Sequence, residues 1–231
     1  NDTIDYSVLG GITGINVTLN GATASSVTVS AGDNDSIVNF ENVIGSVDAD
    51  VITGDGLVNI LDGDSGNDII DGAGGDDILR GDEGDDIFIA SAGADTMTGG
   101  NDIDTVDYSA LGGVNFINVT LNGATVETVT VDGGTDDTIS EIENVIGSAG
   151  NDVITGDGLA NDLRGEAGND TITSAAGDDT IDGGLGNDTL DAGTGIDTLI
   201  GDEGADLLNG ADEGNNLFGG LGRDTVNGGD G

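Results

Sequence analysis

The chain has 231 residues, and its 46 Asp and Glu face three arginines (Arg80, Arg164, Arg223) with no lysine or histidine, for a formal charge of −43. Self-repulsion on that scale opposes compaction, and 35% hydrophobic with 3% aromatic residues promises only a thin core. The same numbers exclude nucleic acid, whose phosphates need a basic face; no cysteine exists for a disulfide, and no apolar run approaches the ~18 residues of a transmembrane segment.

In chain order, residues 1–5 read as the end of a truncated nine-residue unit, with Asn1 and Asp2 at its fifth and sixth positions. Residues 6–44 form a segment without the nine-residue frame, expected to be irregular β-structure. From Gly45 to Asp107 the frame runs uninterrupted, as in GDSGNDIID, GAGGDDILR and GDEGDDIFI: glycine first and fourth, aspartate sixth, an apolar residue eighth.

Residues 108–146 repeat the irregular segment at an offset of 102: NVTLNGAT (16–23) recurs at 118–125 and ENVIGS (41–46) at 143–148. The alternation around Asn122-Gly123 alone predicts a two-residue hairpin turn. Its flanks disagree in parity, because Val129 and Val131 join an antiparallel partner of Ile117 and Val119 only through a bulge. The preferred expectation is a wider, irregular solenoid lobe joining consecutive rolls, with hairpin excursions as the alternative. Tyr6 and Tyr108 are expected to pack rather than react.

A second block fills 147–231, its units in frame from Gly147 to Asn227, and Gly228–Gly231 open another. Position 8 is apolar in every unit of both blocks, and position 6 is aspartate except at Asn59, Asn161 and Asn215. The cut units at both ends lead to the expectation that the native chain continues in both directions.

A period of nine is too short for a helical hairpin and fits turns joined by very short strands. Two units make one coil of a flattened right-handed solenoid, with position 8 inward and positions 7 and 9 outward. One buried residue in nine, at about 1.5–3 kcal/mol each, falls short of about 1–2 kcal/mol of backbone entropy for every ordered residue. A ligand has to supply the rest.

The hexad indicates which ligand. Glycines at positions 1 and 4 curl the backbone so that carbonyls converge, and the position-6 carboxylate points into the same space. With neither histidine nor cysteine present, zinc, copper and iron are poorly served, while calcium tolerates irregular cages of oxygen. Stacked coils bring together positions 18 apart, pairing Asp68 with Asp86, Asp77 with Asp95, Asp170 with Asp188, Asp179 with Asp197 and Asp206 with Asp224. Such pairs suggest up to about a dozen ions. Asn or Asp at position 5 (Asn67, Asp76, Asp85, Asn169, Asp178, Asn187) is expected to tolerate a left-handed turn, and acidic residues at position 2 (Asp64, Asp82) to be solvated.

The pattern resembles the repeats-in-toxin (RTX) family, whose nonapeptide G-G-x-G-x-D-x-U-x is matched at every fixed position by GGLGNDTLD (183–191) and GGLGRDTVN (219–227). The resemblance implies an all-β fold, a right-handed parallel β-roll or β-solenoid with two nonapeptide blocks separated by irregular β segments. It assigns calcium ligation through side chains to Asp50, Asp68, Asp77, Asp86, Asp95, Asp104, Asp152, Asp170, Asp179, Asp188, Asp197, Asp206 and Asp224. Carbonyls come from the glycine-rich turns: Gly63, Gly66, Gly72, Gly75, Gly81, Gly84, Gly165, Gly168, Gly183 and Gly186. Turns carrying Asn59, Asn161 or Asn215, and those departing from the glycine pattern, are expected to be weaker or empty. Type I secretion and a calcium-rich extracellular setting follow from the same resemblance.

No histidine, cysteine or lysine serves as base or nucleophile, and carboxylate pairs that repeat are structural before they are catalytic, so no enzymatic activity is expected. The tandem favours a calcium-stabilised repeat region of a large secreted bacterial surface protein: adhesin stalk, surface layer or filament, folding on calcium outside the cell. The alternative is a secretion and folding module attached to a secreted enzyme. The expected partners are calcium ions and other copies of the chain in a surface assembly, the latter because position 7 of the first block (Val51, Ile60, Ile69, Ile78, Ile87) places apolar ladders on the outside; the alternative is that these β-branched residues merely suit strands or are covered by the preceding 39-residue segment.

Overall fold

The computed structural model describes residues 1–8, 14–29, 34–111, 116–211 and 214–229; Asp230 and Gly231 of the closing GGDG lie outside them. Every helix or strand among the described residues is a β-strand, most of them three residues long. In the blocks the strands occupy positions 7–9, as in Ile69–Asp71 and Thr180–Asp182. The glycine-rich hexads between them cannot extend further without abandoning the turn.

The chain divides into two compact units, residues 1–106 with 135–142, and residues 107–134 with 143–231. In the first, strands Thr3–Asp5, Asn42–Ile44, Ile60–Asp62, Ile78–Glu83, Thr96–Asn101 and Asp137–Ser140 pair in parallel in that order. A second parallel row holds Ile15–Thr18, Val51–Thr53, Ile69–Asp71 and Ile87–Ile89. In the second unit Ile117–Thr120 leads a row through Val153–Thr155, Thr171–Thr173, Thr189–Asp191, Leu207–Asn209 and Thr225–Asn227. Asn144–Ile146 leads the other, through Asp162–Arg164, Thr180–Asp182, Thr198–Ile200 and Asn216–Phe218. Within the blocks register advances by 18, as Ile69↔Ile87 and Thr180↔Thr198 show, so two nonapeptides do make one coil of a parallel β-solenoid.

Position 8 fills the interior: from Ile52 to Val106 and from Ile154 to Leu208 every such residue is fully buried. Position 7 stands outside, where Val51, Ile69 and Ile87 form one ladder, Ile60 and Ile78 another, and threonines their counterparts in the second block.

The irregular segments correct the preferred expectation. Ile117–Thr120 and Glu127–Val131 form an antiparallel hairpin with Ile117 opposite Val131, and Ile15–Thr18 with Ser25–Val29 repeat it. The first strand of each hairpin is also the opening rung of its block. The turn is not the two-residue type, because that turn needs positive φ at both central residues and only Gly123 has it, at 54°. The loop spans residues 121–126 instead. The longer loop changes the pairing parity, so Ile117, Val119, Val129 and Val131 all point inward without a bulge. Tyr6 and Tyr108 are buried as well.

Candidate metal centre

Each hexad folds around its own position-6 carboxylate. At position 4 the backbone is left-handed, with φ between 120° and 142° at Gly66, Gly75, Gly84, Gly168, Gly177 and Gly186. At position 1 it is not; a side chain at Gly63 or Gly81 would instead strike the Oδ2 of Asp68 or Asp86, and the carbonyl of Gly81 or Gly99 one coil further on. The position-1 glycine is thus a matter of close approach between carboxylate and backbone. The second left-handed residue is position 2, which includes Asp64, Ala73, Asp82, Glu166, Ala175 and Asp202 at φ between 60° and 79°.

The carboxylates form files. The backbone N–H of Asp50 donates to Oδ1 of Asp68 at 2.7 Å, Asp68 to Asp86 at 2.7 Å, and Asp86 to Asp104 at 2.9 Å. In the second block Asp152, Asp170 and Asp188 donate in the same way to Asp170, Asp188 and Asp206. Each of these aspartates is at most 2% exposed. One carboxylate oxygen is therefore occupied by the preceding coil. The other, Oδ2 of Asp68, Asp77, Asp86, Asp170, Asp188 and Asp206, is buried with no hydrogen-bond donor.

A buried carboxylate oxygen without a partner costs about 1–3 kcal/mol, more when charged. Burial accordingly pushes the carboxyls up, Asp68 to about 8, Asp170 to about 7, Asp77 and Asp86 to about 6, with neighbouring carboxylates adding to it. Such a group is neutralised by a proton or by a cation. The surroundings suit a hard cation: the empty-handed Oδ2 lies beside backbone carbonyls such as Gly81 O and Gly183 O, an all-oxygen donor set. Among the described residues no group of three carboxylates converges, so the ion would be held by one or two aspartates together with turn carbonyls.

Not every expected ligand stands alike. Asp50 and Asp152 have both oxygens engaged by protein donors, and Asp95 accepts from the Ser91 hydroxyl at 3.2 Å. Asp224 is only partly buried and accepts from Asp206 N–H at 3.2 Å. Asn59 and Asn161 sit buried in the file but carry an amide. Asp137 was missed by the frame: it lies 42 residues beyond Asp95, yet its Oδ1 takes the Asp95 N–H at 2.9 Å and it is 1% exposed. The triplet Asp137-Thr138-Ile139, which copies positions 6–8, is the signal that would have found it.

Position 5 is corrected as well. None of the named residues there has positive φ; their side chains accept an N–H from the following coil, Asn169 from Asn187 at 2.8 Å and Asn187 from Ala205 at 2.9 Å. Position 5 thus reaches forward along the stack while position 6 reaches back.

The family model of the RTX calcium-binding nonapeptide repeat (4 copies) matches residues 44–79, 53–88, 71–106, 137–158, 155–190, 185–215 and 209–231. The fourth of these stretches starts at Asp137, the aspartate that the nine-residue frame omits. No curated protein matches the chain.

Proposed function

The chain belongs to the RTX calcium-binding nonapeptide repeat family, and on that premise we propose that it is the repeat region of a large secreted bacterial surface protein, ordered by calcium outside the cell. The observation that carries the calcium part is the file of buried carboxylates with one oxygen unpartnered, repeated in both blocks. Asp68, Asp77, Asp86, Asp170, Asp188 and Asp206 would hold the ions with carbonyls of the turn glycines. Calcium supplies the positive charge that lets these carboxylates stay ionised inside the stack. The protein's own part is to fix each aspartate by the amide of the coil before it and to bring carbonyls to the free oxygen.

The surface role is supported by the 102-residue tandem and by the outward ladder of Val51, Ile69 and Ile87, each 37–40% exposed. Apolar ladders on the outside of a chain this acidic favour contact with a further copy. Calorimetric calcium titration with circular dichroism should show uptake of several ions accompanied by gain of β-signal. Equal β-signal in chelator and in millimolar calcium would remove the calcium reading. The assembly is tested separately: Ile69→Thr with Ile87→Thr should keep calcium uptake and lower self-association in sedimentation. A monomeric parent chain would turn the balance toward the module attached to a secreted enzyme.

A further inference from the structure

The first coil of each block is built differently from those that follow. Asp50 accepts the Ser46 N–H at 2.5 Å, the Ser46 hydroxyl at 2.9 Å and the Ile15 N–H at 2.7 Å. Asp152 accepts the Ser148 N–H at 2.6 Å, the Ser148 hydroxyl at 2.8 Å and the Ile117 N–H at 2.7 Å. Burial still pushes both carboxyls up, but the three donors oppose it and leave neither carboxylate with an oxygen lacking a protein partner. On the other side of the same coil stands an asparagine. Asn59 accepts the Asp55 N–H at 2.8 Å and donates its side-chain amide to the Glu41 carbonyl at 2.9 Å. Asn161 does the same with Asp157 N–H at 3.0 Å and the Glu143 carbonyl at 2.8 Å. Where later coils present a bare carboxylate oxygen, as at Asp68, Asp77, Asp170 and Asp188, this one presents an N–H already bonded to the backbone.

The hairpin segment that leads into each first coil also needs no ion. Its core is ordinary and apolar: Ile117, Val119, Val129 and Val131 in one copy, Ile15 and Val17 among those in the other, all buried. The hairpin's first strand lies directly on the first coil, Val119 against Ile154 and Val17 against Ile52.

We propose that each hairpin segment with its first coil is a calcium-independent seed, on which the calcium-dependent coils are laid, and that Ser46, Asn59, Ser148 and Asn161 draw the boundary. The proposal rests on the calcium reading for the coils beyond it. The asparagine side-chain N–H₂ takes the place a cation has elsewhere, donating to a carbonyl instead of bridging one. A solenoid pays its largest entropy for the first rung, and later rungs add to a surface already formed. A seed that closes without ligand removes that first barrier.

Hydrogen exchange followed by NMR on the whole chain tests it. In chelator, amides of 153–155 and 162–164 should exchange at least about tenfold more slowly than those of 189–191 and 207–209; calcium should close the gap. If all four stretches exchange fast in chelator and slowly in calcium, the seed is refuted while calcium-driven folding stands. If all are slow in chelator, calcium-driven folding fails and takes the seed with it. Asn161→Asp replaces the donor by an acceptor. That variant should lose the protection of 162–164 in chelator, regain it in calcium and take up one additional ion by calorimetry. Protection in chelator that survives Asn161→Asp, or an ion count that does not change, overturns the role given to the amide. Ser148→Ala, which leaves the Asp152 file intact, should weaken the chelator-state protection of 153–155 alone; unchanged protection there would remove Ser148 from the boundary.

Discussion

Within the second unit, residues 116–131 and residues 165–211 solve the same stacking problem with different chemistry. The hairpin buries two apolar residues from each of its strands and turns its polar side chains outward. The nonapeptide coils bury one position-8 apolar residue and one aspartate per nine, and at Asp170, Asp188 and Asp206 the Oδ2 has no hydrogen-bond donor. Both present the same parallel edge, so they join without a seam. On the reading proposed above, a β-solenoid coil needs calcium only where its turn is closed by a carboxylate that no protein donor completes.

The largest effect that separates the two regions is removal of calcium. Arg80 and Arg164 have side chains of similar exposure, 44% and 49%, but Arg164 lies in a first coil and Arg80 one coil further along its block. Proteolysis of a folded chain follows the population of the opened backbone, so trypsin in chelator should cut at Arg80 at least about tenfold faster than at Arg164. Equal rates at both sites, in chelator as in calcium, would erase the distinction between the regions.

Acid should act in the same direction as calcium. The folded-state carboxyls of Asp68, Asp170, Asp77 and Asp86 titrate at about 8, 7, 6 and 6, above the ordinary 3.8. The folded state thus binds protons more tightly than the unfolded one. Their contribution to stability is complete below about pH 4 and is lost as pH rises through the window from 6 to 8. In chelator, acidification from pH 8 to 4 should restore β-signal to the blocks; with calcium present, protons compete and ion affinity should fall over the same window. A β-signal in chelator that declines steadily on acidification would contradict both signs.

Single substitutions sharpen the contrast further. Ile117→Ala, in the hairpin core, should cost about 2–5 kcal/mol, and equally in calcium and in chelator. Asp188→Ala removes the acceptor of the Asp170 N–H and a free oxygen; in calcium it should cost about 1–3 kcal/mol and reduce ion uptake. Asp224→Ala, at a partly exposed position with a 3.2 Å hydrogen bond, should do less of both. Denaturant melts paired with calcium titrations of the three variants check this; the same calcium dependence in Ile117→Ala as in Asp188→Ala would dissolve the comparison.

The smallest effect concerns the turns alone. Ala73 and Ala175 sit at φ 66° and 79°, a region that costs a side-chain-bearing residue roughly 1–2 kcal/mol. Part of that returns as the higher unfolded-state entropy of glycine. Ala73→Gly should therefore raise the stability of the calcium-loaded block by less than about 1 kcal/mol, read from its melting midpoint, whereas Ile117→Ala lowers it whatever the ligand. A destabilised Ala73→Gly would mean that the turn is not strained there.

The blocks were legible because a nine-residue frame states its alternation many times over, and position 8 is apolar in every unit. The hairpins were only half legible, since Asn122-Gly123 advertises a tight turn that its flanks cannot close in register; parity of Ile117 and Val131 decided the loop length instead. Asp137 lies outside the nine-residue spacing because the chain makes an excursion of 42 residues before returning to the file. Position 5 carries a different ambiguity: asparagine and aspartate suit both left-handed backbone and amide acceptance, and the sequence does not say which property is exercised. The division between first coils and later ones lies in hydrogens that Ser148 and Asn161 donate, a matter of direction that composition cannot express.

Neighbouring rungs of a sheet lie about 4.8 Å apart, so an ionised file from Asp50 through Asp104 is a line of charge at that pitch. At an effective dielectric of about 20, adjacent members repel by roughly 3–4 kcal/mol. Such a row behaves as a polyelectrolyte wrapped in protein: an ion leaving one rung raises the energy of the rungs on either side. Loading should therefore be steep in free calcium, and monovalent salt should loosen it much as it loosens the counterions of a nucleic acid. The file would answer free calcium as a nearly all-or-none switch, filled together or emptied together.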